Sequence, residues 1–403
     1  MTDEPMTRAG LFSLTIPEGW STEEFEGADA VLVAPVVEGD FRANVVLTSV
    51  ESAAPVEEAL RVAVEAAWRQ HPGAQVVATD VWPGDPEGRR LIFTYPVGEA
   101  DQLEVEKWVW ATGARHVHLS ATWTPPQRAV VDPIVKRLAA TVAIVHDSEG
   151  DASAPTPSRP EPDFRGRQHM KVDGPKIPRS ALELLATATR SGRVAMSALR
   201  SADGAALVEA GLIGRFGGLT TQGQDVCAHW ARPTAAVLGI DRSDGEAAGS
   251  LSAWFAAGSV LLAAPHPVGT EPLADGHVVV WTTSASRLVA AVTAWMGLAP
   301  APAYADEDDI VFTTGTVERR LGNAATPPPP GSGAHLVGAW ERGWTAYDIR
   351  TSQGLLPLIA LDDGRWWRRR SVPDGEQLVP MPAAAVFEAV HAVVLDALLS
   401  PAG

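Results

Sequence analysis

The sequence has little that could carry covalent or metal chemistry. One cysteine, Cys227, stands in 403 residues, which leaves no intrachain disulfide and no cysteine-based zinc cluster. Its neighbours Val226, Ala228 and Trp230 mark it as a small packing residue, not a nucleophile. Positive charge is also scarce: 32 Lys and Arg stand against 49 Asp and Glu, a formal net charge of -17. Nucleic acid and anionic membrane both demand a basic footprint, so neither suits the chain as a whole, whereas basic or amphipathic partners do. Long apolar runs are missing, with nothing near the roughly 18 residues that cross a bilayer. The opening MTDEPMTRAGLF has acids where a secretory signal carries a basic stretch and then an apolar one. The expected location is therefore cytoplasmic, with no membrane anchor.

Catalytic signatures are absent too. No glycine-rich phosphate loop, nucleophile elbow or His-Glu-x-x-His helix occurs, and without such a constellation the expectation is a protein that is not an enzyme and needs no cofactor. His116 and His118 fall on one face of a strand, but a metal needs a third donor and none is in view. Asp306, Glu307, Asp308 and Asp309 run together without the spaced ligands and turn glycine of a calcium loop, which reads as a solvated loop.

What is present is a globular composition, 46% hydrophobic and 20% charged, on a chain longer than one hydrophobic core usually covers. Two domains follow. From Leu11 to about Asp147 the pattern is strands and two helices. Residues 12–16, 30–34 and 44–48 read as strands, and Val56, Leu60, Val64 and Trp68 form one apolar helix stripe ended by His71-Pro72-Gly73. Residues 75–81, 89–95, 103–110 and 115–123 read as four more strands, and a second helix carries Val130, Ile134 and Leu138. Grouped strands with covering helices predict an α+β layer domain over residues 1–147, an antiparallel sheet sandwiched by helices.

The stretch FSLTIPEGW (Phe12 to Trp20), with this order of strands and helices, resembles the PsbP-like fold, including the actinobacterial LpqN lipoprotein group. The resemblance implies a binding or assembly module. The lipidation cysteine of LpqN has no counterpart, so anchoring is not implied.

Residues 148–178, rich in Pro, Ser and charge without apolar periodicity, read as a flexible linker. The second domain, residues 179–403, opens with a helix through Leu182 and Leu185, short helices over 194–199 and 204–210, a Gly-rich hairpin at 214–218, and a helix over 222–230. Alone this stretch resembles a winged helix, with Arg193, Arg200 and Arg215 available to phosphates. The helix in the recognition position, GAALVEA (204–210), lacks the Arg, Lys, Asn or Gln that read base edges. A DNA-binding regulator is therefore the alternative reading only.

Further on, 252–263 and 276–283 read as strands followed by a helix with Leu288, Val292 and Trp295. After a second Pro-rich link at 326–333, strands over 343–350, 354–361 and 365–372 precede a helix over 382–399, so a strand-then-helix unit occurs twice. LVEAGLI (207–213), the strand around Trp254 and GWTAYD (343–348) resemble the EspG proteins of type VII (ESX) secretion. This likeness implies an α/β binding domain acting as a chaperone for helical secreted proteins. Trp366-Trp367-Arg368-Arg369-Arg370 is the one basic aromatic cluster, and it reads either as an edge strand blunted by arginine or as an interface centre. Trp340, Trp344, Trp366, Trp367 and Arg369 are the expected partner-binding residues.

Overall fold

A computed structural model describes residues 6–9, 12–84, 86–112, 114–144, 163–168, 170–235, 238–244, 248–301, 310–351 and 354–400. The chain divides into two units, Met1–Gln168 and His169–Gly403.

In the first unit, β1 (Met6–Ala9) and β2 (Phe12–Thr15) form a small sheet completed by β10 (Ala143–Ile144). The main sheet contains β3 (Ser21–Glu23), β4 (Ala30–Val33), β5 (Asn44–Glu51), β6 (Gln75–Trp82), β7 (Gly88–Val97), β8 (Asp101–Ala111) and β9 (Arg115–Trp123). It is antiparallel throughout, in the order β3-β4-β5-β9-β8-β7-β6. Two helices cover it, α1 (Val56–Gln70) and α2 (Arg128–Thr141). Strand alternation sends Val105, Leu91 and Phe93 to the α1 face with Ala63, Val64 and Ala67. Trp108, Trp110, Leu119 and Trp123 go to the opposite face with Val131, Val135 and Leu138 of α2. The α+β sandwich expected from the sequence is therefore present, with a helix on each face. Arg128 ties α2 to the sheet, donating to Glu104 at 2.9 Å and Glu106 at 2.8 Å. The short helix α3 (Phe164–Arg167) belongs to this unit: Phe164 packs on Trp68, and Gln168 bonds both backbone groups of Val76. The predicted linker thus ends earlier than residue 178. Its residues 148–162 lie outside the described residues, and 176–178 form a strand.

The second unit is built on one ten-stranded sheet. Its strands are β11 (Lys176–Pro178), β12 (Leu238–Ser243), β13 (Ala248–Ala256), β14 (Ser259–Ala264), β15 (His277–Ser284), β16 (Ile310–Phe312), β17 (Trp344–Thr351), β18 (Gly354–Leu361), β19 (Trp366–Val372) and β20 (Gly375–Met381). They pair antiparallel in the order β11-β15-β14-β13-β12-β17-β18-β19-β20-β16. The helices are α4 (Arg179–Thr187), α5 (Ala202–Glu209), α6 (Thr221–Ala231), α7 (Leu288–Trp295), α8 (Thr316–Gly322), α9 (Ala334–Trp340) and α10 (Ala383–Leu399).

The single strand expected over 252–263 is a hairpin. Ala257 and Gly258 adopt φ of +48° and +82°, a tight turn inside an apolar run that periodicity alone does not interrupt. The stretch 194–199 holds only a 3-10 turn at Ala198–Arg200. Strands β12, β16 and β20 and helices α8 and α9 escaped the pattern because they are short or bounded by proline and glycine. The acidic run 306–309 lies outside the described residues.

The repeated unit is real. Meander β12-β13-β14-β15 with α7 and meander β17-β18-β19-β20 with α10 have the same order, and their first strands pair antiparallel, Ile240 opposite Ile349 and Asp241 opposite Asp348. Two like halves joined through equivalent antiparallel strands are related by an approximate two-fold axis through that pair.

Candidate functional site

The register of the second sheet sorts its side chains into two faces. Gly239, Asp241 and Ser243 of β12 share one face; Asp241 opposes Ser250 of β13 and Asp348 of β17, and Gly239 opposes Ser252. Two residues beyond Ser252, Trp254 lies opposite Leu261, and this end of the face is covered by α4, α5 and α6 through Leu182, Leu185, Leu207 and Val226. On the other side Asp348 opposes Pro357, and Ile359 and its partner Trp367 continue the same face. There α8 and α9 cover it, with Val317, Leu336 and Trp340 packed on Trp344, Ile359 and Trp367.

Between these two helical groups the middle strands β12 and β17 present small or polar side chains. Asp241, Ser243, Ala346 and Asp348 are half-buried, whereas their neighbours Ile240, Tyr347 and Ile349 are fully buried on the opposite face. That opposite face is closed by α7: Tyr347 donates to the Met296 carbonyl at 3.0 Å and meets Trp295 edge-on at 5.9 Å. Among the described residues α8 and α9 cover this face of β17 at Trp344, while Asp241, Ser243, Ala346 and Asp348 stay half-buried. A concavity of about 510 Å³ opens here, walled by Arg179, Arg242, His266 and Asp275 over Asp241, Ser243, Ala346 and Asp348.

Charge in this groove is arranged under tension. Asp241 and Asp348 stand directly opposite each other, a like-charge pair that costs a sheet stability. Burial raises the Asp348 carboxyl above its ordinary value, Arg369 opposes that rise, and Asp241 adds to it. Asp241 accepts from Arg350 at 2.7 Å. Arg179, at the start of α4, donates to the Ser250 carbonyl and is held below its usual value by burial, with Glu183 and Asp241 acting against the shift. Arg242 lies over the Trp295 ring at 5.3 Å and donates to the His266 carbonyl at 2.8 Å. The His266 imidazole is pushed down by burial and by Arg242. Asp241 and Asp348 line the floor and Arg179 the rim, whereas the Arg242 side chain alternates to the opposite face over Trp295, so the floor suits a ligand carrying basic groups.

The residues expected to meet a partner lie elsewhere. Trp340, Trp344, Trp366 and Trp367 are only 2–4% exposed, which corrects the premise that they stand on accessible strand positions. Trp340 meets Trp344 at 4.9 Å, Trp344 meets Trp367 at 5.8 Å, and Trp366 packs on Tyr347 from the other face. Arg369 ion-pairs with Glu318 and Glu376. β19 is not an edge strand, because β20 and β16 lie outside it. Trp344 and Trp367 are sequestered because two helices too short for a periodicity signal, α8 and the Trp340-bearing α9, close over them.

Asp241 and Asp348 were missed because β12 was not read as a strand. The signal was there: LGIDRS and WTAYDIR each place one Asp on a period-two pattern after a proline- or glycine-bearing break. The His116 imidazole donates from Nε2 to the Ala54 carbonyl at 2.6 Å, and its ring lies 6.3 Å from that of His118. Cys227 is buried and its thiol sits against the Leu185 carbonyl at 3.7 Å, as expected of a packing residue. Among the described residues no helix is long and apolar enough to cross a membrane.

No family model matches the chain, and no curated protein matches it. Solved structures match about a third of it. A protein of unknown function from Pseudomonas aeruginosa is 18% identical, over 34% of this chain and 95% of that one, with a TM-score of 0.26. Cyanobacterial PsbP from Synechocystis is 13% identical over 33% of this chain and 86% of its own, TM-score 0.28. LpqN of Mycobacterium tuberculosis, a protein involved in cell envelope biogenesis, is 15% identical over 33% and 83%, TM-score 0.29. The expected resemblance of residues 179–403 to EspG proteins is not supported by these comparisons.

Proposed function

We propose that the chain is a non-enzymatic binding protein, and that the groove over β12 and β17 holds an amphipathic helical segment of a partner protein. The observation that carries this reading is the open floor itself: two central strands of a large sheet carry small and polar side chains between two helical walls. Adjacent strands lie about 4.8 Å apart, so a floor of two to three strands is on the order of 10 Å across, the width of a helix. Opposed Asp241 and Asp348, in a chain of net charge -17, favour a helix that places Lys or Arg on the axis between them.

A partner secreted by a type VII system, as the EspG-like motifs imply, is the finer form of this reading. The winged-helix alternative draws no support from α5, whose exposed positions Ala202, Ala205 and Glu209 offer no donor to a base edge.

A photo-crosslinking residue at Ser243 or Ala346 of the full chain should trap a small helical protein from a lysate of the source organism. The same residue at exposed Leu399 should not. Ala346→Trp, which fills the floor, should weaken binding of the purified partner more than tenfold. Equal trapping at Leu399, or unchanged affinity in Ala346→Trp, would rule the groove out.

A further inference from the structure

The second unit carries a basic, apolar knob that the groove does not use. Residues Gly214 to Gly218 form a tight turn: Gly217 donates to the Gly214 carbonyl and Gly214 to the Gly218 carbonyl, both at 2.8 Å. The turn is fastened to the preceding loop, since Val194 donates to the Gly217 carbonyl at 2.8 Å and Leu219 to the Gly192 carbonyl at 3.0 Å. Gly217 has φ of +79°, and a Cβ there would strike the Val194 carbonyl. The turn is therefore preformed, and it holds its central residue outward.

That residue is Phe216, 79% exposed, and Met196 on the adjoining loop is 56% exposed. Arginines flank them along the sequence. Arg190, Arg193, Arg200 and Arg215 are all exposed, and the Arg193 guanidinium donates to the Phe216 carbonyl at 3.2 Å. From residue 190 to 218 there are four arginines against two acids, Asp203 and Glu209, the reverse of the balance in the chain. Ionic screening limits the field of distant acids to about 8 Å at physiological salt, so the local excess decides what this surface attracts.

We propose that this knob docks on an anionic lipid surface, with Phe216 and Met196 entering the interface and the arginines meeting headgroup phosphates. An exposed aromatic and a thioether flanked by guanidinium groups match the layering of a membrane interface, apolar below and anionic above. Duplex DNA would also attract arginines, yet it offers no apolar layer for Phe216, and α5 supplies no base-reading side chain.

The test is flotation of the full chain with vesicles of phosphatidylcholine, with and without phosphatidylglycerol. Binding is expected only with the anionic lipid, falling as salt is raised. Phe216→Ser should lower the partition about tenfold or more, and Arg215→Glu should lower it further at low salt than at high. Both substitutions sit on an exposed turn, and an unchanged thermal transition establishes that the fold survives. No flotation with anionic vesicles overturns the proposal, as does flotation indifferent to both substitutions. Binding to duplex DNA that Phe216→Ser leaves intact, with no vesicle binding, replaces lipid with nucleic acid.

Discussion

At the scale of single residues, two half-buried ionisable groups make the stability of the chain depend on pH in opposite senses. Asp348 holds its proton more tightly in the fold than in the unfolded chain because of burial and the facing Asp241. It therefore costs stability at neutral pH, and the cost disappears as acid protonates it. Asp348→Asn should raise stability near pH 7 by about 0.2–1 kcal/mol, with the gain shrinking as pH falls towards the ordinary aspartate value of 3.8 and gone below it, as urea unfolding at several pH values would show. His118 behaves the other way. Burial, Lys107 and His116 push its imidazole from 6.5 down to about 3, so the folded state takes up a proton less readily than the unfolded one. Stability should then drain away as pH drops from about 6.5 towards about 3, by up to a few kcal/mol. His118→Gln should flatten that part of the profile. Neither shift could be read from sequence, because both come from burial and from strands brought alongside by pairing.

Among the elements, α8 and α9 decide what the tryptophans do. Trp340, Trp344 and Trp367 form a buried stack that Phe312 extends at 5.6 Å from Trp340. Trp367→Ala should cost about 3–5 kcal/mol in thermal or urea unfolding, whereas Arg369→Ala, which removes the ion pairs to Glu318 and to the buried Glu376, should cost less, about 1–3 kcal/mol. A reversed order would return the indoles to the surface. Helix α2 shows the same dependence on a contact distant in sequence. Arg128 bonds Glu104 and Glu106 beneath it, and Arg128→Ala, which takes the bridging cation from two buried carboxylates, should cost about 3–5 kcal/mol. The long helices α1, α2 and α10 were legible from apolar spacing, since each repeats its stripe over several turns. The hairpin at Ala257-Gly258 was not, because a two-residue turn inside an apolar run leaves the pattern unbroken.

For the whole chain, the ladder between β12 and β17 makes the two halves of the second unit one sheet. Trp295→Ala in the first half and Trp367→Ala in the second should therefore lower the same thermal transition, and two separately shifted transitions would disprove this coupling. Composition and periodicity by themselves determined the α+β class, the sandwich of the first unit and the doubling of strands and helix in the second. Those features follow from local period and from the amount of apolar residue to be buried, both written along the chain. Tertiary structure alone decided which aromatics are core, that Asp241 faces Asp348, and that a floor of small side chains stays open between two helical walls. Each of these depends on strand register and on which helix lies over which strand, relations between residues about a hundred positions apart that no local pattern encodes.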